Sequence, residues 1–239
     1  MQEIQDQLSD PFSHLVCDDW LLDQCDAGHL PSMIRFWDTD QTSVVIGYGN
    51  HPEKEVYLSR CAAEGVPVYR RCTGGGTVLL GAGVICYSLF LPFSEHEALT
   101  TVSGANDFIM ERNCAAVAAV AGQTVAVRGC TDLAVGDLKF SGNAQRRRRK
   151  ALLFHGTMLL HFDLALMDRL LRLPGRRPQY RGDRQHAEFV QNLALDAEAL
   201  KQSLRDAWTV QGNVLRVPSD AIASLATSRR TDDRWVCLA

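Results

Sequence analysis

The sequence predicts an α+β fold in which a mainly antiparallel sheet is flanked by helices. Short segments rich in Val, Ile, Leu and Phe follow one another along the chain without helices between them, which favours antiparallel over doubly wound parallel sheet. Longer segments with helical periodicity lie before, between and after these strands. The 239 residues, 46% of them hydrophobic, are enough to bury a substantial core in one or two domains.

Five segments show helical periodicity, and each is bounded by polar residues or by Gly and Pro. They are residues 14–25, 53–64, 98–121, 163–173 and 196–209. The strand candidates are residues 33–37, 43–47, 66–71, 77–80, 84–91, 123–128, 131–135 and 151–162. Residues 172–187 contain two Pro, two Gly and five Arg, and they are predicted to form a long surface loop that could cover a neighbouring site.

Charge is distributed unevenly along the chain. The formal net charge is −3, but residues 128–184 carry 13 basic and 5 acidic side chains. Such a segment favours an acidic partner or a phosphate group. Arg146–Lys150 form an unbroken basic run, which we interpret as a solvated hairpin tip or a contact for an acidic protein. Without interleaved aromatic residues it does not indicate nucleic-acid binding.

Neither a membrane protein nor a metal centre is predicted. The polar N-terminal residues do not resemble a signal peptide, and no apolar run approaches the roughly 20 residues that span a bilayer, so we expect a cytoplasmic protein. The eight cysteines show no CxxC spacing, which argues against a zinc site and against a disulfide framework. Most are expected to be reduced core residues, with Cys130 singled out because it lies near Lys139.

A glycine-rich element, RRCTGGGTVLL, occupies residues 70–80. Consecutive glycines let a backbone approach a ligand closely, and an adjacent arginine can bind phosphate or carboxylate. The alternative is a flexible hairpin turn beside a surface arginine pair. The element is neither a P-loop nor a dinucleotide-binding GxGxxG sequence.

A second element covers residues 131–160, where Lys139 precedes a predicted Ser-Gly-Asn-Ala turn between two strand-like runs. An ammonium there could stabilise negative charge on an acyl carbonyl oxygen or on a phosphate. The alternative is a solvated hairpin lysine. His155, in the sequence FHGT, could donate to a phosphate or ribose, or simply pack in the core.

Together, the RR-x-[ST]-GGG element and the K-[FV]-[SA]-G-x-x-Q/R element followed by HGT-x-L-L resemble the lipoate-protein ligase family, which includes cysteine-dependent octanoyltransferases. RFWDTDQTSVVIGYGNHPEKEV (35–56) and EFVQNL (188–193) extend the resemblance over about residues 12–193. It implies a single catalytic domain of the biotin/lipoate protein ligase type over residues 1–239, with residues 194–239 as a short C-terminal extension rather than a large accessory domain.

The resemblance also implies roles for individual residues. Lys139 matches the lysine that binds the acyl carbonyl. The implied ligands of the nucleotide or acyl phosphate are Arg71, Gly74, Gly75, Gly76, Thr77, Val78, Leu79 and His155. The implied activity is ATP- and Mg²⁺-dependent attachment of lipoate or octanoate to a lysine of a lipoyl-carrier domain through an acyl-adenylate.

Two alternatives remain open at this stage. Leu79-Leu80-Gly81 replaces the aromatic-His-Asp sequence common in the ligases, which removes a polar group expected near the nucleotide. The chain could therefore be an ATP-independent octanoyl or lipoyl transferase that takes its acyl group from an acyl carrier protein through a Cys130 thioester. It could also be a non-catalytic acyl-binding protein.

Overall fold

The computed structural model describes residues 1–238, which form two sheets and eight α-helices. The strands are β1 (Gln2–Gln5), β2 (Met33–Trp37), β3 (Ser43–Ile46), β4 (Val68–Arg70), β5 (Val78–Leu80), β6 (Val84–Pro92), β7 (Ala126–Arg128), β8 (Asp132–Val135), β9 (Leu138–Arg147), β10 (Ala151–Leu159), β11 (Leu215–Arg216) and β12 (Val236–Leu238). The helices are α1 (Pro11–Asp26), α2 (Pro52–Glu55), α3 (Leu58–Ala63), α4 (Val102–Ala121), α5 (Ala165–Leu170), α6 (His186–Phe189), α7 (Ala197–Ala207) and α8 (Ser219–Arg229).

The larger sheet has eight strands in the order β11-β1-β2-β6-β10-β9-β8-β7. Its centre is antiparallel from β2 to β7, and β1 runs parallel to both β2 and β11. The smaller sheet has the order β12-β4-β3-β5 and carries the glycine-rich element between β4 and β5. The predicted α+β class with mainly antiparallel sheet is thus confirmed.

Helices cover the larger sheet because each has an apolar surface to bury. The longest helix, α4, is capped at its N-terminus by Thr101, whose hydroxyl accepts a hydrogen bond from the Gly104 N–H at 3.1 Å. Its C-terminal cap is Gly122, which has φ of +63°. It packs with α7 over one cluster of core residues, while α1 packs against β6, β10 and α8. Both faces of the central strands are therefore buried.

The predicted Ser-Gly-Asn-Ala turn at 141–144 is wrong. These residues lie within β9, which runs unbroken from Leu138 to Arg147 and pairs with β10. The strand continues because Asn143 sits opposite Gly156, where any Cβ would overlap the Asn143 side-chain oxygen. A glycine on the neighbouring strand makes the room that the polar side chain needs, so no turn is required.

The basic run Arg146–Lys150 is only partly a solvated tip. Arg146 and Arg147 donate to the carbonyl oxygens of Cys72 and Leu99 at 2.8 and 2.7 Å. Arg148 pairs with two carboxylates of α1. Only Arg149 and Lys150 are exposed. Most of the run therefore fastens the β9–β10 hairpin to the body of the protein.

Other differences from the predicted elements are smaller. The segment 53–64 is divided into α2 and α3, and the short strands β1, β11 and β12 were not predicted. Residues 172–185 form the expected irregular segment, interrupted by one short 3-10 turn before α6. Within residues 1–238, no helix combines the length and apolar character needed to cross a bilayer.

Candidate functional site

Two adjoining cavities lie where the glycine-rich element meets β9 and β10. The inner cavity has a volume of about 150 Å³, and its apolar lining includes Leu15, Trp37, Val45, Leu80 and Cys86. The outer pocket is larger, about 440 Å³, and the irregular segment after α5 forms one of its sides.

Lys139 lines both cavities, together with Asp132 on the adjacent strand β8. The Lys139 Nζ lies 2.7 Å from the Asp132 Oδ1, and the Tyr180 hydroxyl donates to the other carboxylate oxygen at 2.8 Å. Burial and the Asp132 charge raise the pKa of Tyr180. Since a lysine ammonium has three N–H donors, the contact with Asp132 leaves donors free for a ligand in either cavity.

Arg71 lines the inner cavity, but most of its donors are already used within its own loop. Its guanidinium donates to the Thr73 hydroxyl at 2.8 Å and to the carbonyl oxygens of Gly74 and Gly76 at 2.6 and 2.7 Å. It forms no ion pair with a carboxylate in residues 1–238, and burial lowers its pKa to about 10. Arg71 thus shapes the glycine-rich loop and leaves a buried positive charge beside the cavity.

The three glycines differ in position. Gly74 and Gly75 are exposed and line neither cavity, whereas Gly76 lines both. Gly75 has φ of +88°, a conformation that favours glycine. Its carbonyl oxygen accepts from the Asn50 side chain at 3.1 Å and lies so close to Gly47 that a Cβ there would overlap it. The loop conformation therefore depends on glycine in two chain segments.

The residues after the glycines form the common wall. Thr77 and Val78 line both cavities, and the Thr77 hydroxyl donates to Glu55 at 3.0 Å. Leu79 is buried and lines only the outer pocket, and Leu80 lines only the inner cavity. The leucine pair therefore gives both cavities an apolar surface at the positions where the resemblance implies a histidine and its neighbour.

His155 lines the inner cavity and belongs to a buried hydrogen-bond chain. Its Nε2 lies 2.7 Å from the Thr73 hydroxyl oxygen, and its Nδ1 lies 3.2 Å from Asp18 on α1. Asp18 also accepts from Arg35 at 2.8 Å and from Ser88 at 2.7 Å. The chain runs from Arg35 through Asp18, His155 and Thr73 to Arg71, and so connects the sheet centre to the glycine-rich loop.

Charges within this chain are balanced by direct contact. Burial alone would raise the pKa of Asp18, but the hydrogen bond from His155 and the charge of Arg35 outweigh it and lower that pKa. The adjacent His14 stacks on Trp37 with ring centroids 4.4 Å apart. Burial and the Arg35 charge lower the pKa of His14 to about 4. The network therefore holds a neutral histidine beside a buried ion pair.

A second hydrogen-bond chain starts from Tyr87 and Asn143, which also line the inner cavity. The Tyr87 hydroxyl donates to Asn143 at 2.5 Å and accepts from Asn113 at 2.9 Å, and Asn113 accepts from the Trp208 indole at 2.7 Å. The side-chain amide of Asn143 donates to the Thr131 carbonyl at 2.6 Å. Trp37 also lines the inner cavity. Its buried indole N–H has no hydrogen-bond partner in residues 1–238.

Cys130 is exposed in the turn between β7 and β8 and lines the outer pocket. All eight cysteines are free, and five are buried, as predicted for reduced core residues. Residues 1–238 contain no cluster of three or more His, Cys, Asp or Glu side chains suited to a metal ion. Cys130 is thus an accessible thiol on the wall of the candidate site.

Several residues of the site were not identified from the sequence. They are Asp18, Arg35, Tyr87, Asp132, Asn143, Tyr180 and Arg181. Asp18 had a sequence signal, since a second acid in the apolar run HLVCDDWLL has to face the core on a helix. Asp132 also had a sequence signal. It lies two residues before Ala134 and therefore on the same face of a short strand. The pairing of either residue with a basic partner depends on tertiary contacts.

Comparison with known proteins gives consistent results. The sequence model of the lipoyl protein ligase A/B catalytic domain matches residues 10–208. The probable lipoate-protein ligase A of Mycoplasma genitalium is 28% identical over 187 residues, which are 77% of this chain and 53% of that protein. Octanoyltransferase LipM of Symbiobacterium thermophilum is 31% identical over 199 residues, 72% of this chain and 69% of that protein. The chain spans about half the length of the lipoate-protein ligases it matches.

Solved structures share the fold. A lipoate-protein ligase A bound with ATP superposes with a TM-score of 0.76 at 20% identity, over 98% of this chain and 95% of that chain. A bi-partite lipoate protein ligase from Thermoplasma acidophilum gives 0.75 at 20% identity, over 98% and 92%. With the family match over most of the chain, the conclusion is that this protein belongs to the lipoyl protein ligase A/B catalytic-domain family.

Proposed function

We propose that the protein is a lipoate-protein ligase-type enzyme that attaches lipoyl or octanoyl groups to a lysine of a carrier domain through an acyl-adenylate. The observation that carries the proposal is the position of Lys139. Its ammonium lies on the wall common to a cavity with an apolar part and a pocket rich in arginine. An acyl chain in one and a nucleotide in the other would meet at this lysine.

The inner cavity suits the acyl chain. Its apolar side chains come from α1 and from strands of both sheets, so the cavity is walled by regular structure. Complete burial of an eight-carbon chain would contribute on the order of 6 kcal/mol, at about 0.8 kcal/mol per methylene. The buried charge of Arg71 and the half-buried ammonium of Lys139 at its wall would favour the carboxylate end of the acid.

The reaction we propose has two steps. First, a carboxylate oxygen of the fatty acid attacks the α-phosphorus of ATP, and pyrophosphate leaves. The neutral amine of the acceptor lysine then attacks the acyl carbonyl, an amide forms, and AMP departs. In both steps negative charge develops on oxygens that would lie beside Lys139, and a preorganised ammonium in a water-poor site stabilises that charge.

Magnesium would have few protein ligands here. Asp132 and Glu55 are the carboxylates of the outer pocket. Mg²⁺ in nucleotide sites is commonly held by one or two carboxylates with substrate phosphates and water, so Asp132 fits a metal that ATP brings with it. The ion would neutralise phosphate charge. Asp132 also orients Lys139, which keeps the ammonium at the common wall.

The acceptor we propose is a lipoyl domain. The bi-partite ligase of Thermoplasma acidophilum was studied with its E2 lipoyl domain, and it has the same fold as this chain. Exposed Arg149 and Lys150 add to the basic surface that would attract an acidic carrier. The absence of disulfides in residues 1–238 agrees with the cytoplasmic location we propose.

A transferase mechanism is the second candidate. It is favoured by the octanoyltransferase relative and by the exposed Cys130 thiol on the outer pocket. In this mechanism the Cys130 thiolate attacks an acyl carrier thioester, the carrier thiol leaves, and the acceptor amine then displaces Cys130. Such a cycle uses no ATP.

One experiment separates the candidates. A lipoyl domain is incubated with the protein and either octanoate, with and without MgATP, or octanoyl-acyl carrier protein, and modification is measured by mass spectrometry. We expect modification from octanoate only with MgATP, with Cys130→Ala as active as the native protein. Modification only from the acyl carrier, lost in Cys130→Ala, would establish the transferase. Octanoate binding without modification from either donor would instead establish an acyl-binding protein.

A further inference from the structure

Arg181 is a buried cation in the wall of the outer pocket. It lies in the short 3-10 turn Gln179–Arg181, and only 5% of its surface is exposed. Its guanidinium stacks over Phe189 at 4.7 Å, and its Nε donates to the Arg184 carbonyl at 3.1 Å. The side chain is therefore held in one place by packing and by backbone contact.

The charge of Arg181 is not neutralised by the protein. Its buried Nη2 has no hydrogen-bond partner, and it forms no ion pair with a carboxylate in residues 1–238. Burial, which is the largest influence, lowers its pKa. A buried guanidinium without a partner is costly, because it has lost water without gaining an anion. Such a group is stabilised when an anionic ligand arrives.

The surrounding pocket favours an anion with several charges. Besides Arg181, it is lined by Lys139, Arg172, Arg176 and Arg177. Asp132 pairs with Lys139 and Asp183 pairs with Arg177, and Glu55 is the other carboxylate of the lining. A single carboxylate ligand would still leave part of the positive charge unbalanced. A polyphosphate matches both the amount of charge and the fork geometry of arginine.

We propose that Arg181 binds a pyrophosphate group of a nucleotide in the outer pocket, which Lys139 also lines. The inference rests on the proposed function and extends it, because the resemblance implies phosphate ligands only in the glycine-rich element and at His155. Arg71 is committed to loop carbonyls, whereas Arg181 has a free donor. The arginine-rich segment thereby becomes a part of the binding site.

Adenosine polyphosphates come from two sources, ATP and coenzyme A thioesters, and both would present a pyrophosphate to Arg181. Binding of sodium pyrophosphate, MgATP and octanoyl-coenzyme A is therefore measured separately by isothermal titration calorimetry. Arg181→Met removes the charge and keeps an apolar side chain over Phe189. The matched control is Arg169→Met, an exposed arginine on α5 that lines neither cavity.

We expect Arg181→Met to weaken pyrophosphate binding about 10- to 100-fold, the usual effect of losing a charge-assisted hydrogen bond. Arg169→Met should change it less than about threefold, and octanoate binding should be unchanged in both. Whichever of MgATP and octanoyl-coenzyme A loses affinity in parallel with pyrophosphate identifies the source. Native pyrophosphate affinity in Arg181→Met, or no pyrophosphate binding by the native protein, would overturn the inference.

Thermal unfolding distinguishes ligand binding from a structural role. Without ligand, Arg181→Met should unfold at the native temperature or higher, since an unpaired buried charge is removed. The rise in unfolding temperature that pyrophosphate causes in the native protein should be lost. A lower unfolding temperature with an unchanged pyrophosphate effect would show that Arg181 is structural. None of these measurements needs turnover, so they stand even if acylation from octanoate and MgATP is not observed.

Discussion

The inner cavity and the outer pocket are neighbours with a common wall, yet they are built differently. Around the inner cavity, His155 is hydrogen-bonded to Asp18, and Asn143 is hydrogen-bonded to Tyr87 and to the Thr131 carbonyl. The outer pocket takes one side from an irregular segment, and Arg181 there lacks a partner. The first region is preorganised without a ligand. In the second, the buried Nη2 of Arg181 has no hydrogen-bond partner in residues 1–238 and can gain one from a ligand.

The largest effect is expected at the common wall. Lys139→Ala should lower the rate of carrier acylation by about 100-fold or more, because removal of one preorganised charge-stabilising donor typically costs this much. Octanoate binding should fall only slightly, since the apolar lining is intact. Acylation is measured by mass spectrometry, and octanoate binding by calorimetry.

The matched control for that change is Lys150→Ala, an exposed lysine on the hairpin tip. Its acylation rate should stay within about threefold of native. If Lys139→Ala were as active as the native protein, Lys139 would not be the group that stabilises the reaction where the two cavities meet.

The next largest effect is expected in the hydrogen-bond chain beside the inner cavity. Asp18→Asn keeps the side-chain volume but removes the buried charge opposite Arg35. We expect the free energy of unfolding to fall by about 3 kcal/mol, as when one partner of a buried ion pair is lost. Denaturant unfolding measures it. Asp23→Asn, which removes a half-exposed partner of Arg148, should cost less than about 1 kcal/mol. Equal costs would mean that the buried chain does not stabilise the inner wall.

The same region should respond to pH. His14 has a pKa of about 4 in the folded protein, below the ordinary value of 6.5. The unfolded chain therefore binds this proton at a higher pH, and stability contributed by the neutral His14 is lost as pH falls from about 6.5 to 4. We expect His14→Gln to flatten the decline in unfolding free energy over this range. A slope identical to that of the native protein would contradict this assignment.

The smallest effect concerns the basic surface. The sequence suggested the run Arg146–Lys150, which includes Arg147 and Arg148, as a contact for an acidic protein. Both are now seen to fasten the hairpin, so the sharper variant is Arg149→Glu with Lys150→Glu. Acylation of an acidic lipoyl domain should slow by about 3- to 10-fold at low salt, with adenylate formation unchanged. Salt-independent slowing would argue against electrostatic attraction.

The sequence predicted the inner side better than the outer one. Apolar periodicity located most strands, and two motifs brought Lys139, Arg71 and His155 to neighbouring walls, as the structure shows. The motifs did not predict the hydrogen bonds of Arg71, whose guanidinium donates to the loop carbonyl oxygens of Gly74 and Gly76. Hydrogen-bond direction depends on a loop conformation that periodicity does not encode.

The outer side depends on contacts between distant segments. The arginine content of residues 172–187 was evident from the sequence. The sequence did not show that Tyr180 donates to Asp132, or that the Nη2 of Arg181 lacks a hydrogen-bond partner. The Ser-Gly-Asn-Ala prediction failed for a related reason, because Gly156 on another strand accommodates Asn143. In each case a local pattern was overridden by a residue more than ten positions away.

The order in which the sheets are completed has a consequence for synthesis on the ribosome. β1, near the N-terminus, pairs with β11, and β4, which precedes the glycine-rich element, pairs with β12. β1 therefore has no partner on this side until residues 215–216 have been made, and β4 has none until residues 236–238 have been made. Until then a nascent chain would expose the unpaired edges of β1 and β4, and such edges favour aggregation. Neither sheet can reach its full strand order while only the residues before its late strand have left the ribosome.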